Sequence, residues 1–134
     1  MFAPQLDPEL SPGDIFGRDW DNDRAVRLGP VVVFSHGCEV DKCQTVHVAS
    51  LVSDSDTDPS LLGNIRSGRV WHALYLPGCA EPGWINLRTL RPMERQLLLE
   101  RLDRRLHSMT DVGRNAIATK FFQFLTRTLP AASP

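Results

Sequence analysis

The sequence contains few cysteines, few aromatic residues and no long apolar run. Three of its 134 residues are cysteines, and aromatic residues make up 7%. Because an odd number of cysteines cannot all pair within one chain, we expect reduced thiols in a reducing compartment. No apolar run approaches the roughly 20 residues that a membrane helix requires, and the N-terminal segment lacks a basic region followed by an apolar core. These absences predict a cytoplasmic protein without a signal peptide or a membrane partner.

Several enzyme motifs are also absent. The sequence has no Gly-rich phosphate loop, no nucleophile elbow and no Cys-x-x-Cys pair, which argues against a nucleotide-binding enzyme. Its composition is that of an ordinary globular protein, with 42% hydrophobic and 23% charged residues. A chain of this length and composition predicts a single domain with one modest core.

The net charge of −1 conceals an asymmetry along the chain. Residues 1–83 carry twelve acidic and six basic residues, whereas residues 84–134 carry four acidic and nine basic residues. The two segments therefore have charges of −6 and +5. The basic segment is suited to binding an anion such as RNA. The alternative is two solvated surfaces that attract each other, since mixed charge is normal on protein surfaces.

Turn-forming residues divide the chain into an arm, one domain and a tail. Residues 1–12 contain three prolines and show little periodicity, which predicts an extended, poorly anchored N-terminal arm. Residues 13–129 form the predicted domain, and residues 130–134 form a tail that begins at Pro130.

Short β-branched and alternating segments between turns predict about five strands. Both faces of the segment 43–53 are partly apolar, which is typical of a strand in the middle of a curled sheet. The predicted strands are 14–17, 30–35, 43–53, 70–76 and 84–90.

Three helices are predicted, at 59–65, at 93–99 and from Thr110-Asp111 to about Thr128. The apolar stripe of the last helix comprises Val112, Ala116, Ile117, Phe121, Phe124 and Leu125. The predicted fold is therefore mainly β with a C-terminal helix, a small, curled antiparallel sheet or β-barrel whose open side or end the helix covers.

The order of five short segments resembles that of the MazF/PemK-type toxins. Gly13–Ile15 and, after a loop, Gly29–Ser35 resemble the opening of that family, which has Gly-Asp-Ile and then Arg-Pro before an apolar strand. Val46–Ser53 is similar to the family's third strand, and Asn86–Leu90 to a later strand with an Arg-Thr-apolar step. Arg105–Thr110 resembles the junction that precedes the C-terminal helix. The resemblance extends over about residues 12–128.

This resemblance implies an SH3-like barrel with a C-terminal helix that usually forms a homodimer. It also implies metal-independent cleavage of single-stranded RNA, without a cofactor, by a growth inhibitor that an antitoxin peptide restrains. The expected partners are therefore single-stranded RNA and a protein such as an antitoxin.

Two departures from the family pattern fall on its catalytic positions. The family has a catalytic Arg immediately before the Pro that opens the second strand, where this chain has Gly29, and its nearest arginine is Arg27. The family's catalytic Thr corresponds to Val52, although the following Ser53 is retained. Either other residues have taken over the chemistry, or the barrel is a non-catalytic module that binds protein or nucleic acid.

Metal-free RNA cleavage requires a base for the 2′-OH, an acid for the leaving oxygen and a cation for the phosphate. His36 has the intrinsic pKa for acid or base catalysis, and Asp14 or Glu39 is the candidate to orient it. The alternative for His36 is a loop histidine that hydrogen-bonds to the backbone.

Three further residues complete the predicted catalytic set. Arg88 or Arg27 could hold the phosphate with two hydrogen bonds, and Ser53 could donate another. The alternative for Arg88 is a surface arginine on a strand, and the alternative for Ser53 is a serine that caps a strand end.

Four aromatic residues, Trp20, Trp71, Tyr75 and Trp84, could stack on RNA bases. Trp84, Asn86 and Arg88 share one strand face, and Trp84 beside Arg88 is the best pair for such stacking. Packing in the core is the alternative for all four aromatic residues.

The segment SHGCEVDKC, which includes Cys38 and Cys43, suggests two other kinds of site. The spacing of these cysteines lies within the range of zinc ligands, but no second pair of ligands follows closely. Cys38 could instead be a nucleophile with His36 as its base. A turn with a small cysteine packed inward is the simplest interpretation, so no metal site is predicted.

Overall fold

The computed structural model describes residues 1–34 and 44–128. This part of the chain forms six strands and three α-helices. The strands are β1 Ile15–Phe16, β2 Val31–Val33, β3 Thr45–Ser53, β4 Ala73–Leu76, β5 Gly83–Glu94 and β6 Arg105–His107. The helices are α1 Pro59–Arg66, α2 Arg95–Leu99 and α3 Asp111–Thr128, and short 3₁₀ turns lie at Asp54–Asp56 and Leu102–Arg104.

The six strands form one sheet in the order β4-β5-β3-β2-β1-β6, and all neighbouring strands are antiparallel. The predicted mainly β fold with a C-terminal helix is confirmed, and the segment predicted to lie in the middle of the sheet does so as β3. Within residues 1–34 and 44–128, β4 and β6 each pair with a single neighbour. The sheet is therefore open, and strand pairing does not confirm the predicted closed barrel.

A large irregularity bends the sheet between β3 and β5. Val48 pairs with Arg91, but two residues later Ser50 pairs with Asn86, so residues 87–90 lie opposite Ala49. Extra residues in one strand bend it and increase its twist. The extra residues lie in β5, so the bend is in that strand, while β3 remains a regular strand through Val48, Ala49 and Ser50.

The two principal cores lie on opposite faces of the sheet, because successive side chains of a strand point to opposite sides. The first core includes Leu10, Phe16, Trp20, Val31, Val33, Val46, Val48, Met93 and Leu98. The second includes Ile15, Val32, Ala49, Leu51, Leu76, Ile85, Leu87, Met109 and Ile117. A smaller cluster of Ile65, Ala73 and Trp84 lies under α1.

Helix α3 covers the second core and begins where the sequence predicts. The Thr110 hydroxyl accepts a hydrogen bond from the amide of Gly113 at 3.3 Å, as expected of an N-cap. Ile117 is buried, and Phe121 packs against the second core. The assignment of Val112 to the apolar stripe is wrong, since its side chain is 74% exposed. The neighbouring Gly113, not Val112, faces the protein.

The N-terminal arm is extended but well anchored, so the prediction of poor anchoring is wrong. The amide of Ala3 donates to the carbonyl of Ser108 at 2.8 Å, and the amide of Thr110 donates to the carbonyl of Met1 at 2.9 Å. Leu10 is 4% exposed and belongs to the first core. Composition did not reveal this anchoring because the partners lie about 100 residues away in the chain.

The two shorter helices differ in how well they match their predictions. Helix α1 begins with Pro59, and the carboxylate of Asp58 caps it by accepting from the amide of Ser60 at 3.0 Å. Helix α2 begins two residues later than predicted, because Met93 and Glu94 still pair with β3. No helix in the described residues is long and apolar enough to cross a membrane.

Candidate nucleic-acid interface

The two altered family positions, Gly29 and Val52, lie opposite each other on neighbouring chain segments. Val31 pairs with Ser50, and the amide of Leu51 donates to the carbonyl of Pro30 at 3.0 Å. Pro30 therefore lies opposite Leu51, and the next pair in the same register is Gly29 opposite Val52. The structure therefore brings together the two positions that the resemblance identified, although neither carries the family's catalytic side chain.

Gly29 has a backbone conformation that disfavours any other residue. Its φ is +78°, and apart from its two chain neighbours no described residue has an atom within 4 Å of the position that a Cβ would occupy. The Trp20 indole N–H donates to its carbonyl at 2.6 Å, and the buried carboxylate of Asp21 accepts from its amide at 3.2 Å. An arginine in this position would have room but would carry the strain of the left-handed region.

Arg27 and Ser53 both lie near this crossing of the chain. Arg27 is exposed in the loop that precedes Pro30. Ser53 ends β3, where its hydroxyl donates to Asp56 at 2.9 Å and lies 3.0 Å from the hydroxyl of Ser55. These contacts organise the turn that follows β3.

Arg88 lies far from Ser53. Ser53 pairs with Gly83, five residues before Arg88 on β5, which corresponds to a separation of about 17 Å along an extended strand. The structure therefore does not bring the predicted catalytic residues Arg88 and Ser53 together.

Arg88 instead belongs to a group of cationic and aromatic side chains. Its side chain is exposed, and its guanidinium carbon lies 5.0 Å from the centroid of the Trp71 ring. Trp71 in turn stacks on Phe124 of α3, with centroids 5.3 Å apart and an interplanar angle of 12°. A cation over an aromatic face is attracted by the ring's quadrupole.

Basic groups of α3 extend this surface. The ammonium of Lys120 donates to the carbonyl of Val70 at 3.3 Å. Burial, together with the charge of Arg127, lowers the pKa of Lys120. Burial also lowers the pKa of His72, and the positive charges of Arg88 and Lys120 lower it further. We call these residues, Trp71, His72, Arg88, Lys120, Phe124 and Arg127, the basic-aromatic surface.

The other residues predicted to bind RNA lie beside this surface. The Asn86 side-chain oxygen accepts from the Arg88 amide at 3.1 Å. Trp84 is 7% exposed, and its indole N–H donates to the Thr57 hydroxyl at 2.8 Å. Its ring centroid is 6.3 Å from that of His72. Trp84 therefore lies beneath the surface, while the half-buried Trp71 lies closer to solvent.

Asp14, which was predicted to orient His36, is fully buried. Its carboxylate accepts from the guanidinium of Arg105 at 2.8 Å and from the amide of Ser11 at 2.8 Å. Burial raises the pKa of Asp14, although both partners oppose this shift. His36 and Glu39 lie outside the described residues, so the orienting role stays a prediction.

The alternative sites suggested by cysteine and histidine residues are also placed only in part. Residues 36–43 of the possible zinc or thiol site lie outside the described part of the chain. Within residues 1–34 and 44–128, no group of three or more His, Cys, Asp or Glu side chains is arranged to hold a metal ion. Cys79 is buried, and burial raises the pKa of its thiol.

Solved structures with a similar fold are endoribonucleases and MazF proteins. An endoribonuclease from a mycobacterial species aligns with a TM-score of 0.56 and 14% identity over 94% of this chain and 100% of that one. An endoribonuclease bound to its cognate antitoxin, also mycobacterial, aligns with a TM-score of 0.57 and 14% identity over 90% and 99%. The MazE–MazF complex from Deinococcus radiodurans gives a TM-score of 0.52 and 12% identity over 90% and 99%.

The fold is MazF-like. No family model matches the sequence, and no curated protein does so. Sequence identities of 12–14% support the fold but not the activity.

Trp71 was a sequence-based candidate for stacking on bases, but Lys120 and Phe124 were not predicted to join it. The position of Trp71 beside Arg88 was open to prediction, because neighbouring strands were predicted at 70–76 and 84–90. Ala73 pairs with Asn86, so the same register continued by two residues places Trp71 across from Arg88. The contact with α3 had no comparable indication, since Phe124 was assigned to an apolar stripe without knowledge of what it covers.

Proposed function

We propose that this protein is a MazF-like growth inhibitor that acts on single-stranded RNA. The observation that carries this proposal is the stack of Arg88, Trp71 and Phe124 on the exposed side of the β4–β5 hairpin and α3. The basic-aromatic surface has the chemistry that single-stranded RNA requires, because cations bind phosphates and aromatic faces accept bases.

The charge of the surface supports an anionic ligand. Several basic residues of the described chain form ion pairs with acids, among them Arg101, Arg104 and Arg105. Arg88 is held instead by an aromatic ring, and Lys120 by a backbone carbonyl. Their charges are therefore available to phosphate groups, and we infer that the RNA backbone runs along β5 towards α3.

The proposed reaction is metal-independent cleavage of single-stranded RNA. The similarity in fold to proteins described as endoribonucleases supports this activity. We further propose an antitoxin as protein partner, since similar chains are found in complexes with an antitoxin or MazE, together with a homodimer in the cytoplasm. His36, Arg27 and Ser53 remain candidates for the chemistry.

A second candidate function is a non-catalytic module on the same fold. The specific observation in its favour is that Gly29 and Val52 occupy the two facing positions where the family has catalytic Arg and Thr. A chain that lost both groups could retain RNA binding through Arg88 without cleaving the RNA.

One experiment with two measurements separates these functions. Purified protein is incubated with a mixed single-stranded RNA in EDTA, and binding is measured with the uncleavable 2′-deoxy strand of the same sequence. We expect cleavage by the wild type and weaker binding by Arg88→Ala, while cleavage by His36→Ala tests the sequence-based candidate for the general base. Arg69→Ala is the matched control, since Arg69 is exposed and lies outside the basic-aromatic surface.

Each outcome has a distinct meaning. Binding without cleavage would favour the non-catalytic module. Absence of binding by folded wild-type protein, or equal binding by Arg88→Ala, would contradict the assignment of RNA to this surface.

A further inference from the structure

A second cluster of chemically reactive side chains lies at the end of β3, beneath α1. Asp54 follows β3 directly, Arg66 is in the last turn of α1, and Tyr75 lies on β4. One carboxylate oxygen of Asp54 accepts from the Arg66 guanidinium at 2.9 Å and from the Tyr75 hydroxyl at 3.3 Å. The guanidinium carbon also lies 5.5 Å from the centroid of the Tyr75 ring. We call Asp54, Arg66 and Tyr75 the end-of-β3 triad.

The triad shares a face of the sheet with Val52. Val52 pairs with Trp84, and Trp84 pairs with Tyr75, so the three side chains form one row across β3, β5 and β4 and pack in one cluster. With neighbouring strands about 4.8 Å apart, Tyr75 lies about 10 Å from Val52. The triad is thus next to the crossing of Gly29 and Val52.

The exposure of these side chains fits a site that contacts a ligand. The Arg66 side chain is 52% exposed, whereas that of Asp54 is 17% exposed. The second carboxylate oxygen of Asp54 is buried and accepts no hydrogen bond from any described residue. A carboxylate offers about four acceptor positions, so Asp54 has capacity for a proton. Hydrogen bonds to Asp54 and Tyr75 raise the pKa of Arg66, which therefore stays charged.

Other ion pairs in residues 1–34 and 44–128 lack this combination of groups. Asp14 and Arg105 are both buried, and Asp23 accepts from two arginines. Tyr75 is the one tyrosine of the sequence. Among the described ion pairs, the end-of-β3 triad is the one that joins a half-exposed cation, a carboxylate and a phenol.

We propose that the end-of-β3 triad is the catalytic centre for RNA cleavage, with Arg66 binding the scissile phosphate and Tyr75 relaying the 2′-OH proton to Asp54. This assignment rests on the proposed function, because it requires that the protein cleaves single-stranded RNA. It adds Asp54 and Arg66, which were not sequence-based candidates, and it gives a catalytic role to Tyr75, which was a candidate only for stacking on bases.

The proposed step follows from the direction of the existing hydrogen bond. The Tyr75 hydroxyl donates to Asp54, and its oxygen has a second lone pair beside the one that faces Arg66, so it can accept the 2′-OH proton as its own proton passes to Asp54. The 2′-oxygen forms a bond to phosphorus, and the bond from phosphorus to the 5′-oxygen breaks. Water protonates the leaving 5′-oxygen, and the proton on Asp54 neutralises the resulting hydroxide. The products are a 2′,3′-cyclic phosphate and a 5′-hydroxyl end.

The first test compares cleavage and binding in matched variants. Tyr75→Phe keeps the ring over which Arg66 lies but removes the hydroxyl, so we expect kcat to fall about a hundredfold, a typical contribution of a general base. Binding of the uncleavable 2′-deoxy strand should be unchanged. Arg66→Ala should reduce both cleavage and binding, whereas the control Arg69→Ala should behave as wild type. Circular dichroism of each variant establishes that it is folded.

The second test uses the fact that Tyr75 is the chain's one tyrosine. Growth on 3-fluorotyrosine replaces this residue alone with a more acidic phenol, and the overall fold is preserved. If Tyr75 carries the proton, the alkaline limb of the pH–rate profile shifts to lower pH. A merely structural hydroxyl would leave the profile unchanged.

The outcomes separate this assignment from the broader proposal. If the wild type cleaves RNA while Tyr75→Phe and the fluorinated protein match it, the triad assignment is wrong and the broader proposal stands. If the folded wild type leaves RNA intact, the endoribonuclease proposal fails, and the assignment fails with it.

Discussion

Replacing Arg105 with alanine tests how the N-terminal arm is held to the sheet. The Arg105 guanidinium donates to the Asp14 carboxylate at 2.8 Å, to the carbonyl of Glu9 at 3.1 Å and to that of Leu102 at 2.9 Å. It also hydrogen-bonds to the carbonyl of Asp7. The side chains of Arg105 and Asp14 are only 4% and 0% exposed. The substitution would therefore leave a buried carboxylate and three carbonyls without their main partner.

The expected loss of stability is large. Removing one partner of a buried ion pair costs about 3–5 kcal/mol, against a typical total stability of roughly 5–15 kcal/mol. An unfolding entropy of about 2.1 cal/mol/K per residue gives about 0.28 kcal/mol/K for this chain. A loss of about 4 kcal/mol then lowers Tm by about 14 °C.

The pH dependence of this loss identifies its cause. Burial raises the folded-state pKa of Asp14, and loss of Arg105 raises it further. A carboxyl with a raised folded-state pKa binds its proton more tightly in the folded state than in the unfolded state. Its unfavourable contribution to the free energy of unfolding therefore decreases as the pH falls through that pKa. The difference in unfolding free energy between wild type and Arg105→Ala should therefore be larger at pH 7 than at pH 5.

The assay is urea unfolding followed by circular dichroism at both pH values. Arg104→Ala is the matched control, because Arg104 and its partner Asp23 are 38% and 45% exposed. We expect that variant to lose about 1 kcal/mol or less. A loss below about 1 kcal/mol for Arg105→Ala, or an equal loss at both pH values, would refute the reasoning about a buried charge.

Three further predictions concern the loop and the basic-aromatic surface. Gly29→Ala should lower the unfolding free energy by about 1–2 kcal/mol because φ is +78°, whereas Gly63→Ala in α1 should raise it by about 0.5–1 kcal/mol. If chemical denaturation shows that the unfolding free energy changes in the same direction in both variants, this prediction is contradicted. The salt dependence of binding to the 2′-deoxy strand should become shallower by about 0.7 in the log–log slope for Arg88→Ala, and an unchanged slope would remove Arg88 from the phosphate contacts. Arg88→Ala should also raise the pKa of His72, since the Arg88 charge lowers it; an NMR titration without an upward shift would show that the two groups do not interact.

The central features of the fold were predictable because local pattern and tertiary environment agree there. The segment 43–53 has apolar residues on both faces, and β3 Thr45–Ser53 is enclosed between β2 and β5. The same agreement holds for α3, where Thr110 caps a helix that covers the second core.

The prediction at Pro92 failed because tertiary pairing outweighed the local preference. A proline followed by Met93–Leu99 suggests a helix, yet β5 continues through Pro92, which pairs with His47. Strand β4 pairs with residues 83–86 of β5, so within residues 1–34 and 44–128 no strand pairs with the other side of β5 around Pro92. A proline is tolerated on such an edge, since no ladder hydrogen bond is lost there.

The candidate sites were predictable only where they follow from the sheet register. Arg88 was a candidate from sequence, but its position over Trp71 and close to α3 depends on how the helix docks. Asp54, Arg66 and Tyr75 come from a turn, a helix and a strand that are 9–21 residues apart. No local spacing brings such residues together, which is why the triad became visible only in the folded chain.

The position of β6 in the sheet has a consequence for synthesis of the protein. Ile15 of β1 pairs with His107 of β6, so the sheet is completed by a contact between residues about 90 positions apart. At roughly 5–20 residues per second, the ribosome needs about 5–20 s to make the chain between them. During that interval the outer edge of β1 has no partner, and long-range contacts of this kind form late in folding. The protein therefore completes its sheet only near the end of translation.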